Sequence, residues 1–371
     1  MALTEDTFTV AVGDSSASGP LQEVASFDSM SLNSSLDGGC EVAFTVPGES
    51  PTARLINELA SDVWVYRAGG IFQRYRVVGV GQAWGPDGDD VVSVQGVCYK
   101  RIINARHVQS PLTFSNAGQA DIIAAVYAHT QAQAGGDWGI TNGTLDNDGK
   151  FRDRSYVLGE NLGSILDNLQ GVIGGPVWRI SGDLTLEVRS GDPATFPVQG
   201  VPLMLGGTAR SLTRNAGTGE FANSVFVDGD SSVTVPAVAD DANILSDPRG
   251  RWERAEGFPN VSLQATLREK AEGLVEEYAL PVATWSVEVE PGRYLTDAPF
   301  SPGDLVTIVV PETVAAPIGN PGFSVTGQVM NLALGFSADG ELSVSMEVVE
   351  TPGAIAAAAA FDSGFGEGFT I

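Results

Sequence analysis

Two histidines, His107 and His129, and two cysteines, Cys40 and Cys98, are the only imidazoles and thiols in this chain. Neither histidine stands at a ligand spacing such as His-x-x-x-His or beside a cysteine pair, so a zinc centre and a Ser-His-Asp triad both lack partners. His107 follows a strand end, and His129 falls on a helix predicted over 119–132, two positions after Tyr127. Both cysteines lie in apolar alternating runs, where a thiol behaves as a small hydrophobe. Three acidic turns, Asp87-Gly88-Asp89-Asp90, Asp146-Asn147-Asp148-Gly149 and Asp228-Gly229-Asp230, invite a calcium reading. None of them completes the EF-hand pattern of alternate ligands, a sixth-position Gly and a twelfth-position Glu. Turn chemistry accounts for them without a metal, because Asp, Asn and Gly are what tight turns use.

The run Gly79-Val80-Gly81-Gln82-Ala83-Trp84-Gly85 resembles a dinucleotide loop, but its spacing is off by one and it leads into another strand. A phosphate site of that kind needs a helix N-terminus after the glycines. The adjacent carboxylates Glu276-Glu277 and Asp240-Asp241 do not aim at one substrate, so no glycosidase pair follows. No catalytic, cofactor-binding or metal residue is therefore assigned, and the chain is expected to bind or assemble, not to catalyse. A second reading is a carbohydrate-binding or weakly hydrolytic β-rich surface protein, with Trp64, Trp84, Trp138, Trp178, Trp252 and Trp285 as sugar platforms. The same tryptophans serve equally as core or interface residues.

The elements that would position these residues are mostly strands. From residue 8 to 108 short alternating runs are predicted at 8–12, 26–32, 40–46, 63–67, 71–80 and 91–97, bounded by Gly, Pro, Asp and Ser. One short helix is predicted over 51–60, with Pro51 at its start and Leu55, Ile56 and Leu59 at helical spacing. This set suggests a closed or nearly closed β-barrel. The stretch 71–108 is its organising hairpin, turning at Gly85-Pro86-Asp87-Gly88 and leaving through Cys98, Tyr99, Lys100 and Arg101 toward Pro111. A charge at Val94 or Val97 is the local change expected to damage it most.

After Pro111 the period changes. Ser115-Asn116 is placed as the cap of the 119–132 helix, a second helix is predicted over 161–172, and strands over 139–142, 152–156, 177–181 and 184–188. A smaller α+β unit follows, with strands at 222–227 and 232–235, a helix over 263–278 capped by Ser262, and a strand at 283–289. Strand character returns at 304–310, 323–336 and 341–349, the last two joined by the Ala338-Asp339-Gly340 turn. The fold class is thus β-rich α+β multidomain, divided as 1–110, 111–212, 213–292, 293–352 and an Ala/Gly/Phe tail at 353–371.

Composition narrows the function classes. There are 46 acidic against 20 basic residues, a formal net charge of −26, so the surface repels phosphate. That argues against groove-binding to nucleic acid and against anchoring on anionic lipid. No apolar run approaches the ~18 residues a membrane span requires, and no secretory leader is read at the start, so synthesis and folding in a cytoplasm are expected.

The order barrel, α+β unit, smaller α+β unit, barrel-completing strands resembles the hub of long-tailed bacteriophage tail tips, the minor tail proteins and N-terminal hub regions of tail-associated lysins. The matching features are the strand 40–46 ending in Pro47, the short helix 52–60, the VYRAGG turn at 65–70, the SVQGVCYKRIINAR exit, and Ser301-Pro302-Gly303-Asp304 before the last strands. The resemblance implies N-terminal and C-terminal tail-tube-like β-barrel modules with two α+β domains between them. It implies a homotrimeric ring of pseudo-sixfold symmetry in the virion, assembled in the bacterial host cytoplasm, whose lumen passes DNA without specific binding. The implied partners are a distal tail protein ring, the tape-measure protein, and central fibre or receptor-binding minor tail proteins, with no cofactor and no membrane anchor. Lysin-type relatives continue into a peptidase or glycosidase domain; this chain stops at Ile371, so wall-degrading activity is expected of another protein.

Overall fold

The computed structural model describes residues 8–351, except 17–18, 25–26, 37–38, 68–69, 85–89, 148, 150, 171–174, 190–198, 217–220, 230–234, 259–263, 280–282, 297–299, 311–322 and 338–340. The 85–88 and 338–340 turns, the 232–234 part of the predicted strand, the Ser262 cap, Asp148, Asp230 and the 353–371 tail lie outside the described residues.

The N-terminal part is β1 (Phe8–Asp14), β2 (Gln22–Glu23), β3 (Ser29–Ser35), β4 (Gly39–Pro47), β5 (Ser61–Arg67), β6 (Gly70–Trp84) and β7 (Asp90–Cys98). The chain leaves β7 directly into α1 (Tyr99–Ile102) and a tight 3₁₀ turn. An α+β unit follows: β8 (Leu112–Gly118), α2 (Gln119–Gln131), β9 (Thr141–Leu145), β10 (Phe151–Tyr156), α3 (Leu162–Gln170), β11 (Val177–Ile180) and β12 (Thr185–Arg189). After β13 (Leu203–Met204) and β14 (Ala209–Ala216) comes the smaller unit of β15 (Ser224–Asp228), β16 (Ala237–Asp240), β17 (Glu253–Gly257) and α4 (Gln264–Tyr278). The chain closes with β18 (Ala283–Val289), α5 (Pro291–Thr296), β19 (Leu305–Val310), β20 (Phe323–Phe336) and β21 (Leu342–Glu350).

Thirteen of these strands form one sheet, ordered β14-β18-β21-β20-β3-β4-β7-β6-β5-β1-β2, with β19 beside β20 and β13 beside β19. It curls instead of lying flat. The two ends of the chain meet in it, because β20 pairs antiparallel with β3, Asn331 opposite Ser35 and Phe336 opposite Met30. The long strands β6 and β20 do the bending. Each shifts register at a bulge, between Val77 and Gly79 in β6 and between Val329 and Asn331 in β20. Before its bulge β6 pairs with β5, and β20 pairs with β19, so both carry short strands over the core. Alternation then buries one face of every strand: Met30, Leu32, Val42, Phe44, Val94, Val287, Leu334 and Val344 all join a single apolar cluster. The strands expected as separate N-terminal and C-terminal modules therefore share one sheet and one core among the described residues.

The two α+β units each have a core of their own, one built around Ile122, Ile123, Leu166 and Trp178, the other around Val225, Val227, Leu267 and Ala271. Strand 283–289, expected in the smaller unit, instead pairs with β14 and β21, where its apolar positions complete the main core. The helix expected over 51–60 is absent. That segment is a series of turns in which Ser50 Oγ accepts from the Ala53 N–H and Ser61 Oγ from the Asn57 N–H. Ile56 is buried in the core and Ala53 packs against it, whereas Leu59 is 64% exposed with φ of 61°, so the apolar spacing expected of a helix is not buried. Ser115 and Asn116 lie in β8 and do not cap α2. That helix is capped from a distance by Asn147, whose Oδ1 accepts from the backbone N–H groups of Ala120 and Asp121 at 2.9 and 3.3 Å.

A candidate assembly surface

The face of the main sheet that turns away from the core carries an ordered array of polar side chains. Register places its side chains in continuous cross-strand rows. One runs Thr213, Ser286, Glu347, Asn331, Ser35 over β14, β18, β21, β20 and β3. The next runs Ser211, Glu288, Ser345, Ala333, Asn33, Glu41, adding β4. A third passes Ser343, Gly335, Ser31, Ala43, Gln95 and Gly79 on to β7 and β6. These positions are exposed or half-buried, they are small or polar, and the only charges among them are Glu41, Glu288 and Glu347. Gly79 and Gly81, read from sequence as a rejected phosphate loop, are flat positions in this face opposite Gln95 and Ser93. The face is thus polar with small side chains, and the charges of these rows are acidic, Glu41 being ion-paired with Arg101.

The rows end at open edges. Among the described residues β14 has β18 as its strand partner, with Ala209 also bridged to Leu205, and β6 beyond Gly79 pairs only with β7, so the edge of β14 past Ala209 and the tip of β6 stand open at the two sides of the polar face. The tip of β6 is exposed on both faces from Gly81 to Trp84, and the Trp84 indole is 72% exposed.

A buried ion network holds the root of this surface to the rest of the molecule. Asp62 on β5 is fully buried and accepts from Arg74 Nε, Arg76 Nε and the Tyr99 hydroxyl, each at 2.6 Å. Arg76 Nη2 also donates to the Tyr99 oxygen at 2.7 Å, and Arg74 Nη2 to the Ser15 carbonyl at 3.0 Å. Burial, and then the neighbouring carboxylate, push the Tyr99 phenol up to about 12. Arg74 and Arg76 point one way from β6 because alternate strand residues share a face. Nearby, Lys100 Nζ donates to the Leu36 carbonyl at 2.7 Å and lies 4.6 Å from the centre of the Trp178 ring. Between the main sheet and the first α+β unit runs a cleft of about 650 Å³, lined in part by Cys40, Gln73, Lys100, Trp178 and Asp304. Asp304, from the Ser301-Pro302-Gly303-Asp304 motif, caps its own turn by accepting from the Ser301 N–H at 2.9 Å, and also from Gln199 Nε2 at 2.6 Å. Burial raises its carboxyl above the ordinary range.

The remaining chemistry-bearing residues are not gathered into one place. His129 Nε2 accepts from the Gln109 N–H at 3.0 Å, and His107 forms a backbone bridge with Asn161. Among the described residues no group of three or more His, Cys, Asp or Glu could hold a metal ion. Asn147 of one acidic turn is the α2 cap, and Asp90 of another pairs with Trp84 in the β6–β7 ladder. Asp240 and Asp241 part company: Asp240 pairs with Arg251, while Asp241 Oδ1 accepts from the Asn243 N–H. The Glu276 and Glu277 side chains are outside the described residues. Of the tryptophans, Trp64, Trp178 and Trp285 are buried in cores, Trp138 packs under Arg106, and Trp84 and Trp252 are exposed on different units.

No protein-family model matches the sequence, and no curated protein does. Solved structures do. A tail protein from Neisseria meningitidis MC58 superposes with a TM-score of 0.68 at 13% identity, covering 94% of this chain and 98% of that one. This chain shares the fold of phage tail proteins. The 43 kDa tail protein of prophage MuSo2 from Shewanella oneidensis gives 0.64 at 12% identity, with coverages of 92% and 97%. A type VI secretion component from Escherichia coli, described as structurally similar to the T4 bacteriophage tail proteins gp27 and gp5, gives 0.53 at 9% identity, with coverages of 90% and 76%.

Proposed function

We propose that this chain is a structural hub of a phage tail tip, in which three copies close a ring around a channel that DNA traverses. The observation that carries the proposal is the polar sheet face bounded by two open edges. A strand edge left unpaired in the monomer is a template for another strand, and edges at opposite sides of one face allow head-to-tail pairing around an axis. Within the sheet, β3, β4, β7 and β6 on one side and β14, β18, β21 and β20 on the other have the same plan, a four-stranded array whose long member bends at a bulge. Two such modules per copy give a threefold ring the pseudo-sixfold outline needed between a hexameric tube and a threefold fibre. The polar face then lines the lumen, where its carboxylates repel the phosphate backbone and its rows hold no Lys or Arg to grip it. The fold shared with a tail protein of Neisseria meningitidis and a prophage tail protein of Shewanella oneidensis supports the same reading. Partners on either side, a distal tail ring and tape-measure protein above and fibre or receptor-binding proteins below, follow from that position.

The mass of the purified full-length chain, measured by native mass spectrometry and light scattering over a concentration series, tests the ring. A trimer, or a threefold ring in negative-stain images, is the expected result. A chain that stays monomeric at every concentration and enters no larger assembly with tail components overturns it.

A further inference from the structure

The proposed ring makes no use of Cys40 and Cys98, although the fold brings them face to face. The antiparallel β4–β7 ladder ends with Glu41 opposite Val97, so Cys40 and Cys98 are the positions just past its last pair. Both side chains belong to the core-facing parity of their strands, with Val42 and Phe44 on β4 and Val92 and Val94 on β7. The Cys40 N–H donates to Cys98 Sγ at 2.8 Å, and the two thiols are hydrogen-bonded to each other. Both are free. Directly opposed residues in an antiparallel pair have Cα atoms about 4.5–5.5 Å apart, inside the roughly 4.4–6.8 Å that a disulfide spans.

We propose that Cys40 and Cys98 form a dithiol that a peroxide converts into a cross-strand disulfide. The site has an entrance, since Cys40 is half-buried and lines the 650 Å³ cleft, and hydrogen peroxide is little larger than water. It also has an electrostatic supply of thiolate. The hydrogen bond from the Cys40 thiol, together with that from the Cys40 backbone N–H and the nearby Lys100 ammonium, brings the Cys98 thiol down to about 7 against its burial. The same pairing raises the Cys40 thiol, so Cys98 is the attacking sulfur.

The Cys98 thiolate attacks one peroxide oxygen, the O–O bond breaks, and a sulfenic acid and hydroxide result. Cys40 sulfur then attacks the Cys98 sulfur, the S–S bond forms, and the sulfenic oxygen leaves with the Cys40 proton as water, while the hydroxide of the first step takes up the proton that Cys98 released on becoming a thiolate. Two thiols and one hydrogen peroxide become one disulfide and two waters, the thiols losing two electrons to the peroxide. The new bond ties β4 to the first residue before α1, the point at which the chain passes from the main sheet to the first α+β unit.

Folded full-length protein treated with excess hydrogen peroxide at neutral pH, quenched, unfolded in an alkylating agent and weighed intact without reductant gives the test. The expected product has lost two hydrogen masses and carries no alkyl group, while prior dithiothreitol restores alkylation at both cysteines. Both cysteines still alkylated after peroxide, separate sulfinic acids on each, or disulfides only between chains would each overturn the proposal. Cys40→Ser, checked for folding by circular dichroism, removes the resolving thiol. Oxidation there is expected to stop at a Cys98 sulfenic acid that dimedone traps, and an unmodified Cys98 thiol in that variant refutes its role as the attacking sulfur.

Discussion

Asp62 shows how a single carboxylate decides the geometry of a whole junction. Its two oxygens satisfy Arg74, Arg76 and Tyr99 with no water access, joining β5, β6 and the start of α1. Removing it leaves the buried Arg74 and the half-buried Arg76 guanidinium groups without their counter-charge, which costs far more than the pair itself contributes. Asp62→Ala is therefore expected to lose about 3–5 kcal/mol of stability, read from the urea midpoint. Sequence alternation places both arginines on one face of a strand, but their partners Asp62 and Tyr99, twelve to twenty-three residues away along the chain, carry no local signal. The thiols give a second residue-scale prediction. Cys98 titrates near 7 when folded and near the ordinary thiol value of 9.0 when unfolded. Between those values the unfolded chain binds the extra proton, so stability rises with pH across the window and is lost as pH falls through about 7. Urea midpoints measured along that range are expected to climb in the reduced native protein and to stay level in Cys98→Ser.

At the scale of elements, alternation does most of the work. β1, β4, β5, β6, β7, β18, β20 and β21 were legible because apolar residues recur at every second position. β14, β16 and β17 were not, since ARSLTRNA, AVAD and ERAEG are short, charged and partly exposed, and only neighbours in space make them strands. The false helix at 51–60 arose from the opposite error: the apolar spacing was right, but nothing in the tertiary structure covers Leu55 and Leu59. The ladder also separates two valines that looked equivalent. Val94 is 1% exposed in the core, whereas Val97 is half-buried on the polar face, between Glu41 and Arg76. Val94→Asp is expected to cost about 4 kcal/mol or more and to leave little soluble protein, while Val97→Asp folds. Assembly is tested at the open edge instead: lysines at Thr213 and Asn215 of β14 are expected to keep the native circular dichroism spectrum and to shift the native mass toward monomer.

For the whole molecule the charge is the property that composition announces and the fold distributes. The rows of the polar face place Glu41, Glu288 and Glu347 among serines, threonines and glycines, so the sign of that face rests on few residues. Replacing all three by lysine is expected to convert a protein that leaves duplex DNA unretarded in a gel into one that retards it. Added salt is expected to abolish that retardation, because the new affinity comes from displaced counterions. What composition cannot supply is the join between the halves. Nothing near β3 announces that its partner is β20, so the sequence reads as two barrels where the fold makes a single sheet.

That join governs how the protein is made. β3 emerges from the ribosome long before β20, its partner on one side. Until β20 is made the SMSLNSS edge is therefore open, and the closing step waits on a contact between segments far apart in the sequence. Folding is set by the arrival of residues 323–336, and a nascent chain stalled before them carries an unsatisfied strand able to pair with another copy in the wrong register. Truncation ahead of β20 is therefore expected to move the protein from the soluble to the pelleted fraction.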